Sequence, residues 1–367
     1  MPSYTDITDR GFKTGGAALA LAATLALLAG CSTPRNYSAV SSGPDRGPAP
    51  APVVTPQMLA AQDTLSKMVE LQARLYKVAS PLLINNADLC KNQARNLLGF
   101  TAQNKYSYPG QYADAAQAAL GYGDRLEVSV VLAGSGAARA GLRKGDGLIM
   151  VDGKQLPIGP NADTGAGNVF GPLLATHATL NLLVSRGDNN QMINVPVTRA
   201  CAFRVDLGNS DNINAYADGQ HILVTRGMMN FADSDEAIAY VVAKDMAHNI
   251  LGHAAAQHST ATIGSMVDNL KNVQPDLSML IGSGGVKPMP QEMDAAADSL
   301  SLYLLARAGY DIDGAARFWQ RLATQYPASV LNGYTANHPA TAYRVAAINK
   351  TVAEIHAKQS ARKPLVP

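Results

Sequence analysis

Little in this chain of 367 residues points to a charged partner. Thirty basic residues face 28 acidic ones, a formal balance of +2. No long basic run occurs, which argues against nucleic acid as a partner. The one strongly apolar run, "GGAALALAATLALLAG" (residues 15–30), is too short to span a bilayer comfortably. Cysteine is scarce, with three in the chain. What is plentiful is apolar residues, enough at this length for two ordinary domains with sizeable cores.

Arg10 and Lys13 precede the apolar run, the order expected of an export signal over residues 1–30. The run ends in Leu28-Ala29-Gly30-Cys31, which resembles a bacterial lipobox. The resemblance implies cleavage before Cys31 and lipidation of that cysteine, so the membrane itself is an expected partner. Ser32 carries no sign of retention at the inner membrane, which favours the periplasmic side of the outer membrane. Residues 31–56 are rich in Ser, Pro, Gly and Ala and cannot bury enough apolar surface to offset the entropy of ordering. They form a tether. In an exported protein the even remainder of cysteines, Cys90 and Cys201, suggests one disulfide around the region between them.

An amphipathic helix is expected over residues 57–82, with an interruption near Pro81. From 83 to 205 the chain reads as a β-rich unit. "VSVVLAGSGAARAGLRKGDGLIMVDGKQL" (128–156) sets a strand, glycine-bearing turns, a short helix and a second strand in fixed order, and resembles a PDZ domain. Such domains bind peptides by adding a strand to a sheet edge, with a carboxylate held by backbone N–H groups. Leu98, Gly99 and Phe100 are the candidates for that peptide-binding loop. The stretch 101–123 is longer than a compact PDZ domain needs.

From residue 206 to 358 four motifs appear in order. "HILVTRGMMNF" has a β-rich start, and "DSDEAIAYVVAKDMAHNILGH" has Asp233 and Glu236 as a capping-box-like helix start, with Ala237, Val241, His248 and Leu251 at helical spacing. "QEMDAAADSLSLYLLARAGYD" reads as a second helix, and "NHPATAYRVAAI" contributes His338, Pro339 and Arg344. Together they resemble the zinc metallopeptidases of family forty-eight, typified by HtpX, BepA and the CAAX prenyl protease. The resemblance implies an α+β chain in which a mostly helical zincin-like metallopeptidase domain follows the PDZ-like unit, with residues 359–367 as a tail.

A zincin needs two imidazoles one helical turn apart, a carboxylate base beside the first, and a third ligand from another helix. Lys244 and His248 stand at the first two ligand places, Asp245 at the general base, and Asp294 at the third ligand. Asp298 matches the residue that would orient a ligand histidine from behind. An ammonium repels Zn²⁺, and Asp245 and Asp294 are each one methylene shorter than the glutamates the family uses. His253 and His258 fall five and ten residues after His248, off the ligand face, and read as solvent-facing or packing residues. His338 belongs to a loop near the cleft and could join His248 and Asp294. The sequence therefore favours a pseudopeptidase without cofactor that binds peptides or unfolded envelope proteins, with Lys244 paired to Asp294 in the metal's place. The alternative is an active zinc metalloendopeptidase of envelope protein quality control with an atypical metal site.

Overall fold

The structure, a computed structural model, describes residues 54–256, 260–278, 288–328 and 333–367. The export signal, Cys31, nearly all of the tether and His258 lie outside the described residues. Among those described, no helix is long and apolar enough to cross a membrane.

Helix α1 (Pro56–Asn85) opens on Thr55, whose hydroxyl accepts the Met58 N–H, with proline at the first turn where no donor is lost. It does not break at Pro81, as the sequence suggested. Leu75, Val78 and Ala79 before the proline and Leu82 and Leu83 after it are all buried. Burying a leucine contributes about 1.5–3 kcal/mol, and two of them beyond the proline match or exceed its ~3 kcal/mol cost in a helix. The outer half of α1, through Ala61 and Leu65, packs on Tyr108, Tyr112, Ala115, Ala116 and Tyr122. The long stretch 101–123 thus supplies α2 (Gln111–Leu120), which seats on α1. The inner half of α1 joins the core of the helical domain.

Strand β1 (Ala94–Leu97) pairs antiparallel with β8 (Thr198–Cys201), Ala94 lying opposite Cys201. The Cys90–Cys201 disulfide ties the chain at the same place across 111 residues. Between these strands, β2 (Phe100–Gln103), β3 (Glu127–Val131), β4 (Gly147–Val151), β6 (Thr179–Arg186) and β7 (Asn189–Pro196) are neighbours in that order, and β5 (Lys154–Gln155) pairs with β4. Helix α3 (Gly136–Arg139) and helix α4 (Ala162–Thr176) complete this unit. Its separate core runs only from Leu98 to Val197. Ala94, Ala200, Cys201 and Phe203, inside the 83–205 span, pack with the helical domain instead. The β1–β8 ladder is the stem on which the β-rich unit sits.

The helical domain starts with β9 (Arg204–Gly208), β10 (Ala215–Ala217) and β11 (His221–Thr225), in the order β10-β11-β9 with β9 parallel to β11. The chain continues through α5 (Arg226–Phe231), α6 (Asp235–Leu251), α7 (His253–Ala256), α8 (Thr260–Leu270), α9 (Gln291–Ala308), α10 (Ala315–Gln325), α11 (Gly333–Asn337) and α12 (Ala342–Ser360). Helix α6 begins one residue later than the capping-box reading placed it. Ser234 caps it by accepting the Ala237 N–H, which leaves Asp233 to pair with Arg321 on α10. Every side chain from Ala237 to Asn249 is buried, so α6 is the central helix, enclosed on all sides. Leu251, read as part of an apolar face, is exposed. The last residues are held rather than free: Leu365 packs on the core and its carbonyl accepts from Arg307, and the Val366 carbonyl accepts from Lys358.

Candidate functional site: a buried charge cluster and an open groove

Because α6 is enclosed beyond its first turn, Lys244 and Asp245 are carried into the core, against α9. Positions one helical turn apart share a face, so Lys244 and His248 of α6 meet Asp294 and Asp298 of α9. Lys244 Nζ lies 2.8 Å from Asp294 Oδ1 and 3.1 Å from Asp298 Oδ1. Neither contact has hydrogen-bond alignment, so both are ion pairs in the strict sense. The ammonium also sits 5.0 Å from the centre of the Trp319 ring on α10, and that ring stacks on Tyr334 of α11. All these groups are buried.

A second cation closes the cluster. Arg344 of α12 donates to both oxygens of Asp298, at 2.7 and 3.0 Å, and lies 3.1 Å from Asp294 Oδ2. Its remaining donors reach the carbonyls of His338 and Pro339. Asp298 therefore fixes an arginine and a lysine, and no histidine, which differs from the orienting role the family resemblance implied. The fork of a guanidinium satisfies a buried carboxylate better than one imidazole donor.

Asp294 is the centre of the arrangement. His338 Nδ1 is hydrogen-bonded to its Oδ1 at 2.9 Å, and His248 Nε2 lies 3.3 Å from the same oxygen. Burial works against its charge, but Lys244 and the two histidines outweigh that and hold its carboxyl far below the usual range. Asp245 faces the opposite balance. Burial pushes it up to about 8, Lys244 offsets only part of this, and Asp294 adds repulsion. Burial pushes His248 down to about 4 despite Asp294, and lowers His338 as well. At neutral pH Asp245 and both imidazoles are thus largely uncharged. Two cationic side chains stand against two carboxylates.

His253 lies off the ligand face, as its spacing requires, yet it is buried, and its Nδ1 is 2.9 Å from His248 Nδ1. The turn at Gly252, in the left-handed conformation with φ 72°, folds α7 back and brings this about. Burial, with His248 beside it, lowers His253 to about 4. Sequence reading missed this contact, the double clamp by Arg344, and the Trp319–Tyr334 floor. For Arg344 the only signal was its place in the fourth motif.

Do these residues fit a divalent ion? Ligand atoms of His248, Asp294 and His338 lie within 4.8 Å of one another, so three donors converge. They converge on Asp294 Oδ1, the oxygen already 2.8 Å from an ammonium. An ion bound there would have Lys244 as its neighbour in place of a fourth donor. The residues do not fit zinc, and no catalytic step through a metal follows from them. The cavity beside them, lined by Tyr216 of β10, Asp245, His248 and His338, holds about 40 Å³, room for a few waters.

The β-rich unit differs. Strand β2 ends the sheet path, so one of its edges is unpaired among the described residues. Between that edge and α4 runs a groove of about 290 Å³ lined by Leu98, Phe100, Leu126, Leu148, Phe170 and Leu174. Of the sequence-predicted tripeptide, Leu98 and Phe100 line the groove, while Gly99 is buried behind it. Gly99 has φ +77°, and a Cβ there would meet the Ser135 Cβ at 2.6 Å, so glycine is required. Its carbonyl accepts the Leu132 N–H and the Ser135 hydroxyl.

Comparison with known proteins agrees with the helical architecture. Residues 187–352 match the model of Peptidase family M48, so this segment is an M48 metallopeptidase-family domain. Among curated relatives, the mitochondrial metalloendopeptidase OMA1 of Schizosaccharomyces pombe is 24% identical over 147 residues, covering 38% of this chain and 44% of that protein. The OMA1 of Arabidopsis thaliana is 27% identical over 143 residues, with 38% and 29% covered. The beta-barrel assembly-enhancing protease of Yersinia pestis is 24% identical over 139 residues, with 34% and 29% covered. The chain spans less than half the length of these relatives. A solved structure, the HtrA3 PDZ domain bound to a phage-derived ligand (FGRWV), is similar over 29% of this chain and 88% of its own, at 17% identity. Its TM-score is 0.22, too low to bear on function.

Proposed function

We propose that this protein is a lipid-anchored envelope pseudopeptidase that binds extended segments of peptides or unfolded envelope proteins without cleaving them. One observation carries the reading. The side chain in the first ligand's place is a buried lysine, ion-paired with the third-ligand aspartate at 2.8 Å and with Asp298 at 3.1 Å. Lys244 does electrostatically what a metal would do, neutralising carboxylates that otherwise resist joint ionisation. Binding falls to the groove beside β2, which at about 290 Å³ is much roomier than the cavity at Asp245. An unpaired strand edge next to an apolar helix face is the geometry for adding a peptide strand. The names of the relatives, two metalloendopeptidases and an assembly-enhancing protease, point to proteins as the clients. Anchoring comes from Cys31, on the periplasmic side of the outer membrane; Cys31→Ala should release the protein from membranes or block its processing.

The competing reading, an active zinc metalloendopeptidase, draws on the convergence of His248, Asp294 and His338. Metal analysis after zinc loading separates the two. We expect no stoichiometric zinc and no chelator-sensitive cleavage of an unfolded substrate, whereas a variant with Lys244→His, Asp245→Glu and Asp294→Glu recovers zinc. Stoichiometric zinc in the unaltered protein, with cleavage abolished by chelators, would overturn the pseudopeptidase reading.

A further inference from the structure

The groove beside β2 is not the only space that meets this strand. A larger chamber, of about 480 Å³, lies against the β2–β3 face that carries Thr101, Gln103 and Ser129. Its far wall belongs to other parts of the molecule: Gln72 and Tyr76 of α1, Arg204 and Asp206 of β9, and Lys271 just after α8. Groove and chamber share two lining residues, Ala102 on β2 and Asp163 in the first turn of α4, so they meet at the free edge of the strand.

Successive side chains of a strand point to opposite faces. A segment added to β2 would send one alternate set into the apolar groove. In a free-standing unit of this kind the other set would face water. Here α1 and β9 have been packed across that side, and the other set faces the chamber.

The chamber's chemistry is unlike the groove's. Arg204 is exposed and forms no ion pair among the described residues. Among the described residues Lys271 pairs with Asp268 alone, which is itself largely in solvent, and such pairs are weak. Neither carboxylate in the wall, Asp206 or Asp163, forms an ion pair with these cations among the described residues. Desolvation raises both carboxyls, and the Arg204 guanidinium offsets part of it in each.

We infer that both faces of the bound strand are read, so that the preferred ligand is an extended segment in which apolar side chains alternate with acidic ones, the apolar set in the groove and the acidic set toward Arg204 and Lys271. This rests on the peptide-binding reading and adds the ligand's pattern to it. The α1 helix and the β9 edge thereby become specificity elements, although neither belongs to the β-rich unit.

Fluorescence anisotropy with labelled synthetic peptides on the full mature chain tests this. The probes are a peptide with valine at alternate positions and glutamate between, the same peptide with lysine between, and a scrambled glutamate peptide. The glutamate peptide should bind about tenfold or more tighter than either control at low salt, and Arg204→Glu should reverse the preference between glutamate and lysine. Gly167→Trp blocks the groove as a control. Position 167 is exposed on α4 and a Cβ there meets nothing within 4 Å, so the indole can cover the groove without disturbing the fold. It should abolish binding of all the peptides. If the glutamate and lysine peptides bind alike and Arg204→Glu changes nothing, while Gly167→Trp still blocks binding, the chamber plays no part and this inference fails alone. If no peptide binds, or Gly167→Trp has no effect, the peptide-binding reading fails and takes the inference with it.

Discussion

The helical domain and the β-rich unit each carry one conspicuous site, a buried charge cluster in the first and an apolar groove in the second. In the helical domain the space between α6 and α9 is filled by a lysine, an arginine and two aspartates over a stacked Trp319–Tyr334 pair, and a cavity of about 40 Å³ lies beside it. In the β-rich unit the edge of β2 is open, the facing helix carries glycines at 167 and 171, and groove and chamber together leave several hundred cubic ångströms. The first site is part of the core. Emptiness in the second keeps backbone donors and acceptors available. On the proposed function, stability and recognition belong to different parts of one chain.

If the buried cluster is structural, its removal should be the costliest change in the molecule. Lys244→Ala leaves Asp294 and Asp298 short of one cation in the core and should destabilise the helical domain by about 3–5 kcal/mol, measured by denaturant unfolding. Lys244→Met, apolar and similar in length, tests whether charge or volume is at stake, and a loss as large as alanine's would assign the effect to charge. A change of less than ~1 kcal/mol for alanine would break the comparison, since Lys244 would then be a spectator. Next in size is the stem. Replacing Cys90 and Cys201 with alanine should cost about 2–4 kcal/mol, because the bond closes 111 residues of chain in the unfolded state. Thiol alkylation of the unreduced protein should leave both cysteines unlabelled.

The third test uses pH. The folded state keeps a proton on Asp245 up to about 8, whereas the unfolded chain releases it near its ordinary 3.8. Between those values the folded chain binds more protons, so this residue makes stability fall as pH rises through the window. Asp245→Asn removes that fall. Its advantage over the unaltered protein should grow from pH 5 to pH 8, reaching on the order of 1 kcal/mol or more in denaturant midpoints. A difference that is flat with pH would mean that Asp245 ionises freely in the folded state. The smallest effect belongs to the groove. Gly167→Ala and Gly171→Ala, where added methyls meet nothing within 4 Å, should each stabilise the β-rich unit by about 0.5–1 kcal/mol while narrowing the groove and weakening peptide binding. Stabilisation without loss of binding would show that these glycines serve no recognition.

Much of the architecture was legible in the sequence because it rests on local order. Glycine turns, a capping residue within one position of the true cap, and four motifs in series placed α6, α9, the His338 loop and the β-rich unit. The pairing of Lys244 with Asp294 was legible because helical spacing puts 244 and 248 on one face and 294 and 298 on another, and the family resemblance implied that those two faces meet. Pro81 misled because its local cost is fixed, whereas what outweighs it, the burial of Leu82 and Leu83 against the helical domain, comes from residues far away in the chain. The periodicity of α6 misled in a related way: a helix enclosed on all sides has no polar face, so Leu251 could look like part of an apolar stripe that does not exist.

By itself, the sequence put Lys244 and His248 on one helix face through the 3.6-residue period, and the resemblance to family forty-eight set that face at the metal positions, where an ammonium repels a cation. Only the tertiary structure decided that Arg344 would double the charge compensation, that His253 would fold back onto His248, and that α1 and β9 would build a second wall along β2. Each of these depends on which distant elements share a core, and burial, which no local pattern encodes, sets whether a charge is paired, neutralised or left facing an open chamber.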